Sequence, residues 1–218
     1  MISQKMVPKL RSRGMLWTAI GGGLEQKFHE NCLFIDLAQG ARLALEYLIK
    51  LGHRKICYCF AEREAPLDAR MRVFKGFFSK LDTSFDNFLP IRIPKRANPL
   101  QIKTQAYKAV KQRLRRNKKR YSALFCQNDL IALGALDALR ETNLRVPDDI
   151  AIVGFDDRPE ARESTPGLTT VKIPFEEIGY EAVRQVKGCF KKGRLSFPSI
   201  KLPCRLITRD SCGGKKKI

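Results

Sequence analysis

The sequence predicts an α/β protein built around parallel sheet. Short β-rich runs alternate with longer helical patterns along its 218 residues, the order expected of βαβ units. The run Asp149-Ile-Ala-Ile-Val-Gly-Phe155 is apolar throughout after its first residue, as a strand covered on both faces is. With 44% hydrophobic and 29% charged residues, the composition is that of a folded globular chain rather than a disordered one.

The first complete unit runs from a strand at Cys32-Leu-Phe-Ile-Asp36, through a helix over about 37–51, to Lys55-Ile-Cys-Tyr-Cys-Phe60. Ala41, Ala44, Leu45 and Leu48 share one face of that helix at i, i+3, i+4, i+7 spacing, and Gly52 follows as a left-handed terminator. A second helix is expected over 67–81, with Met71, Phe74, Phe78 and Leu81 on its stripe. Phe88–Ile93 reads as a strand whose internal Pro90 puts it at a sheet edge. Asn98-Pro-Leu-Gln101 is a capping box with proline at the first helical position, opening a helix with Ile102, Ala106, Val110 and Leu114 on one side. Ser122–Gln127 is a strand, and Asn128-Asp129 cap a helix running to about 142. After the strand at 149–155 come a short helix near 159–164, a strand at Leu168–Ile173, a helix over 175–190 and one final strand over 199–207. An earlier strand is expected at Leu16–Ile20, and the Lys-rich end is expected to be disordered.

The seven cysteines (32, 57, 59, 126, 189, 204 and 212) are odd in number and mostly embedded in apolar runs. That usage is one of reduced, buried thiols, and none falls in a metal-binding pair. No apolar run approaches the roughly 20 residues of a membrane span, and Met1–Gly14 carries no apolar stretch of a secretory signal. The charge balance is unusual: 42 Lys+Arg against 22 Asp+Glu gives +20. Residues 95–120 hold eleven basic residues and no acidic one. Such a surplus favours polyanionic partners, yet no helix-turn-helix, zinc-finger or RNP-type pattern accompanies it.

Catalytic signals are missing. His29 and His53 are the only histidines, and no GxSxG, HExxH or CxxC motif occurs. Gly21-Gly-Gly23 lacks the lysine and spacing of a phosphate loop. No cofactor and no metal is expected. Ligands of open parallel sheets bind outside the carboxyl ends of the strands. Two polar clusters sit there, Gln127-Asn128-Asp129 and Asp156-Asp157. Asn128, Asp129 and Asp156 are therefore candidates to hydrogen-bond the hydroxyls of a small polar ligand, with helix capping as the alternative for the amide and its neighbour. Arg70 and Arg72, at the start of the second helix, are candidates for a forked guanidinium contact.

Several blocks together resemble the effector-binding region of LacI/GalR-family transcription regulators. They are Ala44–Ile56, Ser122–Ala135, Val146-Pro-Asp-Asp-Ile-Ala-Ile-Val-Gly-Phe-Asp-Asp157, Pro166–Gly179 and Leu206-Ile-Thr-Arg-Asp-Ser-Cys212. The resemblance implies a two-lobed type I periplasmic-binding-protein-like fold with its N-terminal lobe incomplete. It assigns 37–163 and 192–210 to the C-terminal lobe, 1–36 and 164–191 to a partial N-terminal lobe, and 211–218 to a basic tail. It implies a non-enzymatic cytoplasmic sensor and homodimer that binds a sugar or nucleobase-like effector. DNA would be reached through an upstream helix-turn-helix domain not in this chain, and the sequence is expected to be a fragment or truncated reading frame. Carried over by motif, Asp156 and Asn128 are effector contacts, and Arg72 ranks ahead of Arg70. An exported sugar-binding protein of the same fold and a basic nucleic-acid-binding module through 95–120 are the alternatives.

Overall fold

Nine strands are arranged in two sheets in the computed structural model, which describes residues 6–22, 29–62, 68–78, 87–116 and 121–213. A three-stranded parallel sheet has the order β1 (Ala19–Gly21), β2 (Cys32–Ile35), β8 (Ile200–Leu202). A six-stranded sheet has the order β4 (Phe88–Ile91), β3 (Ile56–Ala61), β5 (Ala123–Cys126), β6 (Ala151–Asp156), β7 (Thr169–Lys172), β9 (Arg205–Ile207). All its neighbours pair in parallel except β9, which runs antiparallel to β7. The sheets belong to separate compact units, Met1–Leu37 with Ile173–Cys204 and Ala38–Lys172 with Arg205–Ile218. The chain passes from one unit to the other three times.

In the smaller unit, α1 (Val7–Ser12) and α7 (Phe175–Lys191) accompany the sheet. Val7, Trp17, Ala19, Cys32 and Phe34 form its core. Asn31, fully buried and at φ +55, ties the unit together. Its amide donates to the Leu195 carbonyl at 3.0 Å and its side-chain oxygen accepts from the Phe197 N–H at 2.8 Å.

The larger unit holds α2 (Leu37–Lys50), α3 (Ala69–Phe78), α4 (Pro99–Arg116), α5 (Asp129–Glu141) and α6 (Pro159–Glu163). On one side of its sheet the core is aromatic: Tyr58 stacks on Phe60, Phe74 and Phe125 with centroids 5.1–5.4 Å apart. The second cluster is aliphatic and joins Cys57, Cys59, Leu124, Cys126 and Ile152 to Ala106, Val110 and Leu114 of α4 and to Ile131, Ala135 and Leu139 of α5. Gly134 allows α4 and α5 to approach closely, since a Cβ there would fall 2.2 Å from the Lys103 carbonyl oxygen.

Local chemistry sets the element ends. The capping box is complete: Gln101 N–H donates to Asn98 Oδ1 at 2.8 Å and Asn98 N–H to Gln101 Oε1 at 2.9 Å. Gly52, at φ +91, closes α2 as expected, and Asn143, at φ +56, does the same after α5. Pro90 lies in edge strand β4. All seven cysteines are buried and free.

Three expectations change. The final strand is two strands: Pro203 has no N–H to continue a ladder, so β8 stays with the smaller sheet and β9 joins the larger. The division of the chain shifts accordingly. Residues 169–172, expected in the partial N-terminal lobe, pair with β6, while 192–204 fold with the smaller unit through Asn31 and β8. The tail expected from 211 begins later, because Ser211 and Cys212 are buried. Ser211 Oγ donates to the Ile152 carbonyl at 2.6 Å and accepts from Thr169 N–H at 2.8 Å. Residues 79–81 of the expected second helix, 117–120 and 214–218 lie outside the described residues.

Gly154 is the most constrained glycine of the larger sheet, since a Cβ there would fall 2.2 Å from Asp129 Oδ1 and 3.0 Å from Leu168 Cδ2. Gly154→Ala is expected to destabilise the protein by about 3 kcal/mol through overpacking against a buried carboxylate. A lower urea midpoint with an unchanged slope would register the loss.

Candidate ligand-binding site

The carboxyl ends of β3, β5 and β6 lie side by side because these strands are neighbours in register. The residues that follow them, together with the start of α3, make one connected polar network. Asp68 is its centre, 6% exposed. Its Oδ2 accepts from the Tyr58 hydroxyl at 2.6 Å and from Gln127 Nε2 at 2.7 Å, and its Oδ1 accepts from the Arg70 backbone N–H at 3.0 Å and from Arg70 Nε at 2.9 Å. Gln127 Oε1 in turn accepts from the Ala61 N–H at 2.7 Å.

Arg70 is therefore held at both ends of its guanidinium. Nε is fixed by Asp68, and one terminal nitrogen donates to the Gln127 carbonyl at 2.7 Å. The plane sits 5.0 Å above the Phe155 ring, in the range of a cation–π contact. Burial opposes its charge, but Tyr58, Asp68 and Asp156 outweigh that and raise its pKa. Among the described residues two of its five N–H donors are used by these bonds, so the others can meet another acceptor.

Asp156 ends β6 within electrostatic reach of Arg70 and is half-buried. Its φ of +119 and the φ of +58 at Asp157 lie where non-glycine residues are strained, at a cost of about 1–3 kcal/mol each. The turn is held from two directions. Arg209 binds Asp157 Oδ1 at 2.5 Å, and Asp129 Oδ2 accepts from the Arg158 N–H at 2.8 Å. Asn128 caps α5, its Oδ1 accepting from Ile131 N–H at 2.9 Å. Its amide nitrogen makes no bond among the described residues and can face a ligand.

Two sequence candidates are not brought to this cluster. Asp129 points inward: it is fully buried, and its other oxygen accepts from the Thr170 hydroxyl at 2.6 Å. It supports the site without lining it. Arg72 is exposed on the outer side of α3, in a shallow groove of about 370 Å³ with Arg42, Val73 and Phe77. Two helical steps turn a side chain by about 200°, so Arg70 and Arg72 face opposite ways, and of the two it is Arg70 that joins the cluster. Asp68 and Gln127 were missed as site residues. The readable signal was a tyrosine inside an apolar strand, whose hydroxyl needs a buried partner. Among the described residues no group of His, Cys, Asp or Glu is arranged to hold a metal ion, and no helix is long and apolar enough to cross a membrane.

Residues 45–212 match the periplasmic binding protein-like domain. The chain belongs to that family, in its LacI/GalR-type regulator branch. The HTH-type transcriptional repressor PurR of Shigella dysenteriae is 32% identical over 176 residues, covering 79% of this chain and 49% of the relative. The probable repressor ExuR of Bacillus subtilis is 26% identical over 210 residues, 96% of this chain and 61% of the relative. The solved complex of the regulator CelR with cellobiose superposes with a TM-score of 0.73 at 25% identity, over 94% of this chain and 62% of that one. This family member thus spans about half to three-fifths of the curated relatives it matches.

Burial raises the Asp129 pKa from 3.8 to about 6, against the lowering effect of its Thr170 and Arg158 bonds. Below pH 4 the carboxyl is protonated folded or unfolded. Between about 4 and 6 the folded state keeps a proton that the unfolded state has lost, so stability falls as pH rises. Urea unfolding is expected to lose about 3 kcal/mol from this group between pH 4 and 7. Asp129→Asn should abolish that component of the pH dependence.

Proposed function

We propose that this chain is the ligand-sensing part of a LacI-type transcription repressor, non-catalytic, cytoplasmic and free of metal and cofactor. Its effector is a small polar compound, a sugar in the first instance and a nucleobase-like compound in the second. The fixed Arg70 guanidinium carries this reading. A donor fork locked by Asp68 and Gln127, beside the Asp156 carboxylate, offers donors and acceptors to adjacent hydroxyls without further ordering of either side chain. The cellobiose bound by CelR and the repressor names of the relatives support the same class. Effector binding would bias a conformational equilibrium that controls a helix-turn-helix domain of the whole protein on DNA.

Homodimerisation belongs to the same reading. On the larger unit, Leu100, Leu130, Leu133 and Leu136 line a groove of about 360 Å³ whose rim carries Lys103 and Asp137, 2.9 Å apart. Leu100 is 71% exposed. Leucines enclosed by charges of both signs are the pattern of a self-complementary contact.

Calorimetric titration with mono- and disaccharides, cellobiose among them, and with purine bases tests the effector assignment. Arg70→Ala or Asp156→Ala is expected to weaken the bound compound by about 10- to 100-fold, the worth of a charged hydrogen bond. Arg72→Ala should stay within about twofold. A panel with no binder, or equal loss in Arg72→Ala, would remove the assignment. For the dimer, Leu100→Asp should shift sedimentation at micromolar concentration from dimer to monomer. A wild-type chain that already sediments as a monomer would refute it.

A further inference from the structure

The amino-terminal edge of the larger sheet, opposite the site above, gathers exposed cations that form no ion pair among the described residues. α2 ends where β3 begins and α4 ends where β5 begins. β3 and β5 are register neighbours, with Ile56 beside Ala123, and Ser122 N–H donates to the Lys55 carbonyl at 2.8 Å. The starts of β3 and β5 therefore adjoin, and the described residues around them and at the ends of α2 and α4 expose Lys50, Arg54, Lys55, Arg115 and Arg116. Among the described residues none of the five forms an ion pair, although Arg54 also donates to the Ile49 and His53 carbonyls. Of the carboxylates nearby, Glu141 is bonded to Lys111 and Tyr107 with Arg115 in electrostatic reach, Asp149 is bonded to Arg145, and Glu46 stands one helical turn before Lys50.

Helix dipoles explain only part of this. Each helix C-terminus carries about half a negative charge, so α2 and α4 together offset about one of five cations. The other four repel one another and cost stability unless a polyanion faces them. Leu51, 39% exposed, is the sole exposed large hydrophobic among residues 50–55 and 113–116, which leaves little to insert into a bilayer. The phosphate backbone of a nucleic-acid duplex suits such a surface, since it needs charge and no apolar anchor.

We infer that this edge is a sequence-independent contact surface for duplex nucleic acid, separate from any helix-turn-helix contact of the whole protein. Its test is fluorescence anisotropy of the 218-residue chain with a labelled duplex of random sequence, titrated across salt. The quadruple variant Lys50→Gln/Lys55→Gln/Arg115→Gln/Arg116→Gln should lose at least about tenfold in affinity at low salt. Its log–log salt slope should fall by about 3 to 4, close to 0.9 per phosphate contact removed. The matched variant Lys187→Gln/Lys191→Gln/Lys192→Gln/Arg194→Gln removes four exposed cations from α7 and the turn after it and should bind as wild type. If the first quadruple variant fails to fold, Lys50→Gln/Lys55→Gln alone should give about half the slope change. Equal losses in the two quadruple variants, or no duplex binding by wild type at low salt, would overturn the inference. So would equal or tighter binding to phosphatidylserine vesicles, with the same loss in the first variant, which would assign the edge to an anionic membrane.

Discussion

A carboxylate survives in a protein interior only where donors surround it, and two such carboxylates organise the carboxyl edge of the larger sheet. Asp68 collects donors from β3, α3 and the residue after β5. Asp129 collects them from β7 and from the turn after β6. Neither can move without stranding several partners, so each reinforces elements that strand pairing and core packing already bring together. The geometry of Arg70 and of the Asp156 turn follows from these two groups.

The turn after β6 concentrates unusual demands within a few residues. Gly154 must lack a Cβ because Asp129 occupies that space. Asp156 and Asp157 adopt positive φ, and Arg209, arriving from the segment after β9, holds the second of them. Strain of this kind persists only when surrounding contacts overdetermine it. Here the contacts come from β7, α5 and the last described turn of the chain, which are far apart in sequence. That the strained residue also carries the candidate ligand carboxylate fits a site whose shape is set before a ligand arrives.

Much of this was legible beforehand. Apolar periodicity placed α2, α4, α5 and α7 to within a residue or two, the Asn98 box and Gly52 marked helix ends, and Pro90 identified an edge strand. That Asn128 and Asp156 follow β5 and end β6 at the carboxyl edge was readable because polar residues directly after apolar strands stand there in a parallel sheet. The placements that differ from expectation have one source. Arg72 standing away from the cluster, the burial of Asp129, and the split of one expected strand into β8 and β9 all depend on which way a side chain or strand faces in three dimensions. Composition and motif order do not encode that.

The amino-acid order alone determined an α/β chain with parallel sheet, because hydrophobic period, caps and turn residues act over a few positions and can be read locally; its LacI/GalR type was carried by the resemblance of whole sequence blocks. Tertiary structure decided which polar residues are scaffold and which face outward. Asp68 and Asp129 look equivalent to Asp156 in the sequence, yet the first two sit where every oxygen already has a donor. Only packing brings Tyr58, Gln127 and Thr170 to them, and that packing is what fixes Arg70 beside the Asp156 turn.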